Sequence, residues 1–130
     1  KLKTVEDLML INNKIPFINE NISMIRALKI MTDKKLGTLI VRNKKKHTTG
    51  IITDGQVRRL NSKNINFSLL KVKNVMTKNP IKIEKNTLVT KALSIMNDNK
   101  ITSLCVHDGR RKLNTIGIIH VHNILENKIY

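Results

Sequence analysis

Apolar and polar positions alternate in two rhythms along this chain. Met24, Ala27, Leu28 and Met31 fall at i, i+3, i+4 and i+7, with charged or polar residues between them. That spacing predicts an amphipathic helix, and Ser23 or Asn21 can cap it by accepting from its free N–H groups. Before it, Pro16 to Ile18 reads as a short strand. After it, Thr38 to Arg42 is a short apolar strand, Asn43 to Thr49 a polar turn and Gly50 to Thr53 another strand. Asp54 can cap a last short helix over Gly55 to Asn61. The second half repeats this order. Pro80 to Ile83 is a strand, and Thr87 caps a helix whose apolar face is Leu88, Ala92, Leu93 and Met96. Ser103 to His107 and Ile116 to Ile119 are strands joined through Asp108-Gly109, a dipeptide that favours tight hairpins. A helix over Val121 to Asn127 follows, and Asn61 to Lys73 links the halves.

The match between halves is also one of identity. Val5-Glu6-Asp7-Leu8-Met9 aligns with Val72-Lys73-Asn74-Val75-Met76, 67 residues on. Ala27-Leu28-Lys29-Ile30-Met31 aligns with Ala92-Leu93-Ser94-Ile95-Met96 at an offset of 65, which also pairs Asp33 with Asp98, Leu39 with Leu104 and Val41 with Val106. Gly50-Ile51-Ile52 meets Gly117-Ile118-Ile119, again 67 apart. Identities with length changes confined to loops mark an internal repeat. The expected fold class is α/β (α+β): two βαββα repeats, 1–66 with an N-terminal linker and 67–130. A half of about 60 residues is marginal alone. The repeats are therefore expected to pack with pseudo-two-fold symmetry, forming a cleft between sheet edges and helix starts that suits an anionic ligand.

Composition narrows the options. Hydrophobic residues make up 40% and charged residues 26%, a globular balance. No apolar run approaches the roughly 20 residues of a membrane helix, and the short run Leu8 to Ile11 is too brief for a secretory signal. The single cysteine, Cys105, excludes an internal disulfide framework and fits a reducing cytoplasm. The net charge of +16 raises nucleic-acid binding. Against it stand the scarcity of aromatics (Phe17, Phe67 and Tyr130) and the scatter of the lysines. Lys44-Lys45-Lys46 and Arg110-Arg111-Lys112 are the exceptions, and both fall in expected turns. The abundance of Lys, Asn and Ile fits an A/T-rich genome, and the charge also fits an acidic partner domain.

Met76-Thr77-Lys78-Asn79-Pro80, the Ala-Leu-x-x-Met helix and Gly50-Ile51-Ile52-Thr53-Asp54 together resemble the pattern of CBS domains, from Val5 to Leu125. More narrowly, Gly50-Ile51-Ile52-Thr53-Asp54-Gly55-Gln56-Val57-Arg58-Arg59 looks like the Gly-Ile-x-Thr-Asp-Gly-Asp-Leu-Arg-Arg run of D-arabinose 5-phosphate isomerases. Ile101-Thr102-Ser103 and Gly117-Ile118-Ile119-His120-Val121-His122-Asn123-Ile124-Leu125 resemble their second-repeat motifs, and Lys1 to Met9 their domain junction. The resemblance implies a regulatory CBS pair of an enzyme that interconverts ribulose 5-phosphate and arabinose 5-phosphate for Kdo and lipopolysaccharide synthesis, the sugar-isomerase domain being elsewhere in the parent chain. Many CBS pairs hold the ribose of adenosine nucleotides with an Asp three residues after the Thr of Gly-x-x-Thr. Here Gln56 and Asn123 occupy that place, and an amide offers one neutral acceptor where a carboxylate offers a charged pair.

The candidate ligand-binding residues follow. Thr53, Asp54 and Gly55 sit where strand meets helix, as a contacting turn or an ordinary N-cap. Arg58 and Arg59 can fork onto phosphate or carboxylate, or form a solvated basic face or a bridge to a further domain. His120 and His122 can bond an anionic ligand, which would then bind more tightly as pH falls through the imidazole range. As a metal site the pair lacks a third ligand nearby. The resemblance adds Thr77, Thr102 and Ser103, hydroxyls that face the cleft in CBS pairs or cap local backbone. The methionines read as core filling, and Cys105 as a core residue with no activating neighbour. No Gly-rich phosphate loop, catalytic carboxylate pair or Ser/His/Asp order appears, so neither catalysis nor a cofactor is expected. The favoured ligand is an anionic nucleotide or nucleotide-sugar, CMP-Kdo first. The competing readings are a homo-oligomerisation module with no ligand, an adenosine-nucleotide sensor and a nucleic-acid binder.

Overall fold

The computed structural model describes residues 2–127, so Tyr130 lies outside the described residues. In chain order these form α1 (Val5–Leu8), β1 (Phe17–Asn19), α2 (Met24–Lys34), β2 (Thr38–Arg42), β3 (Thr48–Thr53), α3 (Asp54–Ser62), α4 (Val72–Val75), β4 (Thr77–Lys78), β5 (Lys82–Glu84), α5 (Val89–Asn99), β6 (Ser103–His107), β7 (Gly117–His120) and α6 (Val121–Glu126). Single 3-10 turns occupy Asn12–Lys14 and Phe67–Leu69. The expected βαββα order is present twice, within a mixed α/β architecture of two sheets.

Two compact units divide the chain, and they do not follow the repeat boundaries at 66 and 67. One unit is Pro16–Pro80; the other joins the segment through Ile15 to the chain from Ile81 onward. The backbone shows why. Val5 N–H donates to Thr87 O at 2.8 Å, Val89 N–H donates to Lys3 O at 2.9 Å, and Leu10 and Ile118 exchange a pair of bonds at 2.9 and 3.0 Å. The equivalent segment before the second repeat serves the Pro16–Pro80 unit in the same way. Val72 N–H donates to Ile22 O and Met24 N–H to Leu70 O, both at 2.9 Å. Each repeat is thus completed by the segment that precedes the other.

In the Pro16–Pro80 unit the sheet order is β1-β2-β3-β4, with β1 parallel to β2 and the other pairs antiparallel. The second unit has β5-β6-β7, with β5 parallel to β6 and β7 antiparallel. The first core holds Ile18, Met24, Ala27, Met31, Leu39, Val41, Ile52 and Val72, and the second holds Ile83, Val89, Ala92, Met96, Leu104, Val106, Ile119 and Val5. These are the same positions of the repeat, with Val5 and Val72 exchanged. Phe67 completes the first core and Ile124 the second.

Several local expectations need correction. Ser23 caps α2, its Oγ accepting from Arg26 N–H at 3.2 Å; Asn21 does not. Thr87 does not cap α5. Leu88 holds that place without a side-chain bond and is exposed, while Val89 is buried. Thr53, not Asp54, is the N-cap of α3. Asp108-Gly109 does not make a two-residue hairpin. It opens a longer loop in which Asp108 Oδ1 accepts from Arg110 and Arg111 N–H, at 2.9 and 2.8 Å. Gly109 there takes a φ of +90°. Asn61 to Lys73 is not a plain linker, since Phe67 within it is core.

Candidate functional site

Each sheet ends in a strand-to-helix turn. In the first repeat β3 runs directly into α3, and Thr53 stands opposite Thr38 at the start of β2. Thr53 Oγ1 accepts from Gln56 N–H at 3.2 Å, which supplies one of the free donors of the helix start. Asp54 N–H donates to Gly37 O at 2.9 Å, fixing the turn to the loop before β2. The Asp54 carboxylate lies 3.3 Å from Arg58 Nη1, both side chains exposed. An exposed pair of this kind contributes little stability, but it neutralises Arg58 locally. Arg59 is exposed and, among the described residues, forms no ion pair. Gly55 lies below both arginines; a Cβ there would be 3.6 Å from Arg59 Nη1 and 3.7 Å from Arg58 Nη2.

The second repeat builds its turn differently. His120 is buried and is the N-cap of α6, and its Nδ1 accepts from His122 N–H at 3.1 Å. This bond fixes Nδ1 as the acceptor. Asn123 Oδ1 accepts from His120 N–H at 2.9 Å, closing a reciprocal cap. The imidazole of His122 is exposed and tilts against that of His120, with ring centroids 4.6 Å apart. Ser103 pairs with His120 across β6 and β7, and Thr102 O accepts from Val121 N–H at 2.8 Å. Thr102, Ser103, His120 and His122 therefore gather at one end of the three-stranded sheet. Thr77 lies on β4, opposite Ile51, and is exposed.

The two amides at the ribose-carboxylate position are engaged by the protein itself. Gln56 Nε2 donates to Val75 O at the end of α4, and its Oε1 is buried without a partner. Asn123 caps His120. Sequence reasoning identified both as lost carboxylates but missed their engagement; for Gln56 the partner, Val75, lies 19 residues away. It also missed a cavity of about 520 Å³ beside α5, lined by Leu93, Met96, Ile101, Thr102 and Val121 among others. Of the expected site residues only Thr102 lines it.

Among the described residues no group of three or more His, Cys, Asp or Glu is placed to hold a metal, and no helix is long and apolar enough to cross a membrane. Cys105 is buried in β6, and burial pushes its thiol up to about 11.

Comparison with known proteins agrees with this architecture. The CBS domain family profile matches residues 5–63 and 72–129. The arabinose 5-phosphate isomerases KdsD of Yersinia pestis and Escherichia coli K12 are 33% and 32% identical over 124 residues, 95% of this chain. The chain spans 37% of the length of those relatives. The crystal structure of CBSX2 in complex with AMP superposes with a TM-score of 0.83 at 25% identity, covering 96% of this chain and 95% of that one. The CBS domain pair of MJ0100, solved with 5'-methylthioadenosine and S-adenosylmethionine, superposes with a TM-score of 0.84 at 20% identity, covering 98% and 97%. The duplicated βαββα order, the shared core positions and the family match across both repeats lead to one conclusion: this chain belongs to the CBS domain family, as a tandem pair.

Proposed function

We propose that this CBS pair is the regulatory, ligand-sensing part of an arabinose 5-phosphate isomerase, and that it takes an anionic nucleotide or nucleotide-sugar, with CMP-Kdo the favoured ligand. The observation that carries the ligand class is the state of the two turns. Gln56 and Asn123 are amides, so neither offers the carboxylate that grips an adenosine ribose, and both are bonded to the protein's own backbone. Outward at the turns stand the exposed Asp54–Arg58 pair, Arg59 and the exposed ring of His122. Arg59 and His122, each on its own unit, suit anionic groups, and CMP-Kdo carries a phosphate and a carboxylate. The identity to the isomerases supports the parent activity, and the AMP complex of CBSX2 supports a nucleotide class of ligand. The free, buried Cys105 fits a cytoplasmic site of action.

Regulation requires that the ligand bind two states of the protein unequally; tight binding alone shifts nothing. Thermal unfolding of this chain against CMP-Kdo, CMP, AMP, ATP and arabinose 5-phosphate tests the reading. A ligand at a hundred times its Kd adds about 2.7 kcal/mol, roughly 10 °C for a domain of this size. A shift with CMP-Kdo that Arg59→Ala and His122→Ala abolish is the expected result. An equal shift with AMP would restore the adenosine sensor. No shift with any of the five would move the role to homo-oligomer assembly. Equal activity of the isomerase-bearing protein with and without saturating CMP-Kdo would refute the regulatory role.

A further inference from the structure

A cationic cavity lies at the other end of the four-stranded sheet. A cavity of about 250 Å³ opens where β1 and β2 finish, lined by Phe17, Asn19, Arg42, Asn43, Lys44 and Lys46, with Ile18 behind. Thr53 and its turn stand opposite Thr38, at the start of β2; Arg42 is at its end. Parallel pairing sets Asn19 beside Arg42. The Arg42 guanidinium lies over the Phe17 ring, 3.5 Å from its centroid. Arg42 is half-buried and, among the described residues, forms no ion pair. Burial pulls its pKa below the ordinary guanidinium value, so its charge is partly stripped of water.

The neighbouring amides present donors. Asn19 Oδ1 accepts from Asn21 N–H at 2.8 Å, and Asn43 Oδ1 accepts from Lys45 and His47 N–H at 2.9 and 3.1 Å. Their carbonyl oxygens are thereby used, and their NH₂ groups remain as donors. No carboxylate lines the cavity. Glu20, the nearest acid in sequence, lines a neighbouring cavity with Lys45 and His47.

The second repeat supplies an internal control. At the positions equivalent to Phe17, Asn19, Arg42 and Asn43 it carries Lys82, Glu84, His107 and Asp108. Two carboxylates stand where the first repeat has two amides. There the loop closes on itself, Gly109 N–H donating to His107 Nδ1 at 3.0 Å. Backbone hydrogen bonds from Arg111 and Arg110 hold the Asp108 carboxyl below its ordinary range. A scaffold of one register thus carries an all-donor pocket in one copy and an acidic end in the other.

We propose that the cavity bounded by Arg42, Asn19 and Lys44 binds a small phosphomonoester of sugar-phosphate size. Guanidinium and amide donors match the oxygens of a phosphate, and the lysines add point charge. The volume is below that of sites for drug-sized ligands, and it suits a phosphate with a small polar body. A nucleobase would need an aromatic face, and Arg42 already covers Phe17.

Calorimetric titration of this chain with ribose 5-phosphate, inorganic phosphate and free ribose, at about 150 mM salt to screen diffuse attraction, tests the assignment. Ribose 5-phosphate should bind saturably, phosphate more weakly, and ribose not at all. Arg42→Ala should weaken binding at least tenfold, while Lys63→Ala, which removes one exposed positive charge away from the cavity, leaves it unchanged. Asn19→Asp keeps the acceptor for Asn21 N–H at an exposed position and imports the acid of the second repeat. It too should cost at least tenfold, which guards against Arg42→Ala failing to fold. No saturable heat with the unmodified chain, unchanged affinity in Asn19→Asp, or full affinity in a folded Arg42→Ala would each overturn the proposal.

Discussion

Substituting Gly50 by alanine adds one carbon at a close approach between β3 and the segment Met76–Thr77. Gly50 is buried in β3, between Val41 on β2 and Lys78 on β4. A Cβ there would stand 2.7 Å from Met76 Sδ, 2.9 Å from Met76 Cγ and 2.8 Å from the Thr77 carbonyl oxygen. The methionine can swing aside. The carbonyl cannot, because Thr77 is paired with Ile51 and would have to retreat by about 0.6 Å to reach ordinary contact, pulling β4 from β3. Overpacking of this kind costs about 1–3 kcal/mol, and a fixed backbone obstacle places Gly50→Ala near 2–3 kcal/mol. Gly55 provides the contrast. Its Cβ would meet only the ends of Arg59 and Arg58, at 3.6 and 3.7 Å. Gly55 lies within α3 and has no positive φ, so alanine should stabilise by about 0.4–1 kcal/mol through the unfolded chain. The same chemical change is expected to have opposite signs five residues apart, a gap of about 3 kcal/mol. Equilibrium urea unfolding followed by far-ultraviolet circular dichroism measures both. A Gly50→Ala loss below about 0.5 kcal/mol, or equal losses at the two sites, would refute the reasoning from distance.

Two further outcomes follow from named bonds and burial. Burial raises Cys105 from the ordinary 9.0 to about 11, so above pH 9 the unfolded chain releases a proton that the folded chain keeps. Stability should fall from about pH 9 and level off beyond about 11, by something on the order of 2 kcal/mol. Denaturant melts at pH 8 and 10.5 should show this decline in the parent chain and not in Cys105→Ala, and parallel declines would exclude the thiol as the cause. Ser23→Ala removes the oxygen that accepts from Arg26 N–H and should cost about 1 kcal/mol in the same assay, whereas Asn21→Ala should not reproduce that loss.

The repeat, the element order and the inward helix positions Ala92 and Met96 were legible in the sequence, because each depends on local periodicity or on identity at a fixed offset, whereas Leu88 is exposed and Val89 takes its place in the core. Met24, Ala27 and Met31 are buried as their spacing requires. The helix caps were less legible. α5 begins one residue later than the Thr87 pattern suggests because Lys3 O, far away in sequence, receives Val89 N–H and fixes the start. Nothing in the periodicity of Val5 to Met9 states which sheet it will join. The strand-to-helix residues were found through their motif, but the inward turn of Gln56 depends on Val75 O, a long-range partner that no local rule names. Similarly, Lys44 to Lys46 read as a solvated turn. Only the parallel pairing of β1 with β2 brings Arg42 over Phe17 and gives that charge a partly enclosed setting.

The exchange of Val5 for Val72 between the two cores also sets a timetable for biosynthesis. Everything needed for the Pro16–Pro80 unit has left the ribosome once Pro80 emerges, so that unit can close while the rest is still being made. The segment through Ile15 must wait, since Lys85, Thr87 and Ile118 do not yet exist. That segment is therefore made before the Pro16–Pro80 unit and yet finds its partners only after that unit is complete. It waits tethered at Pro16 to a unit that is already folded, so the loop that remains to be closed runs through a compact body and not through an open chain.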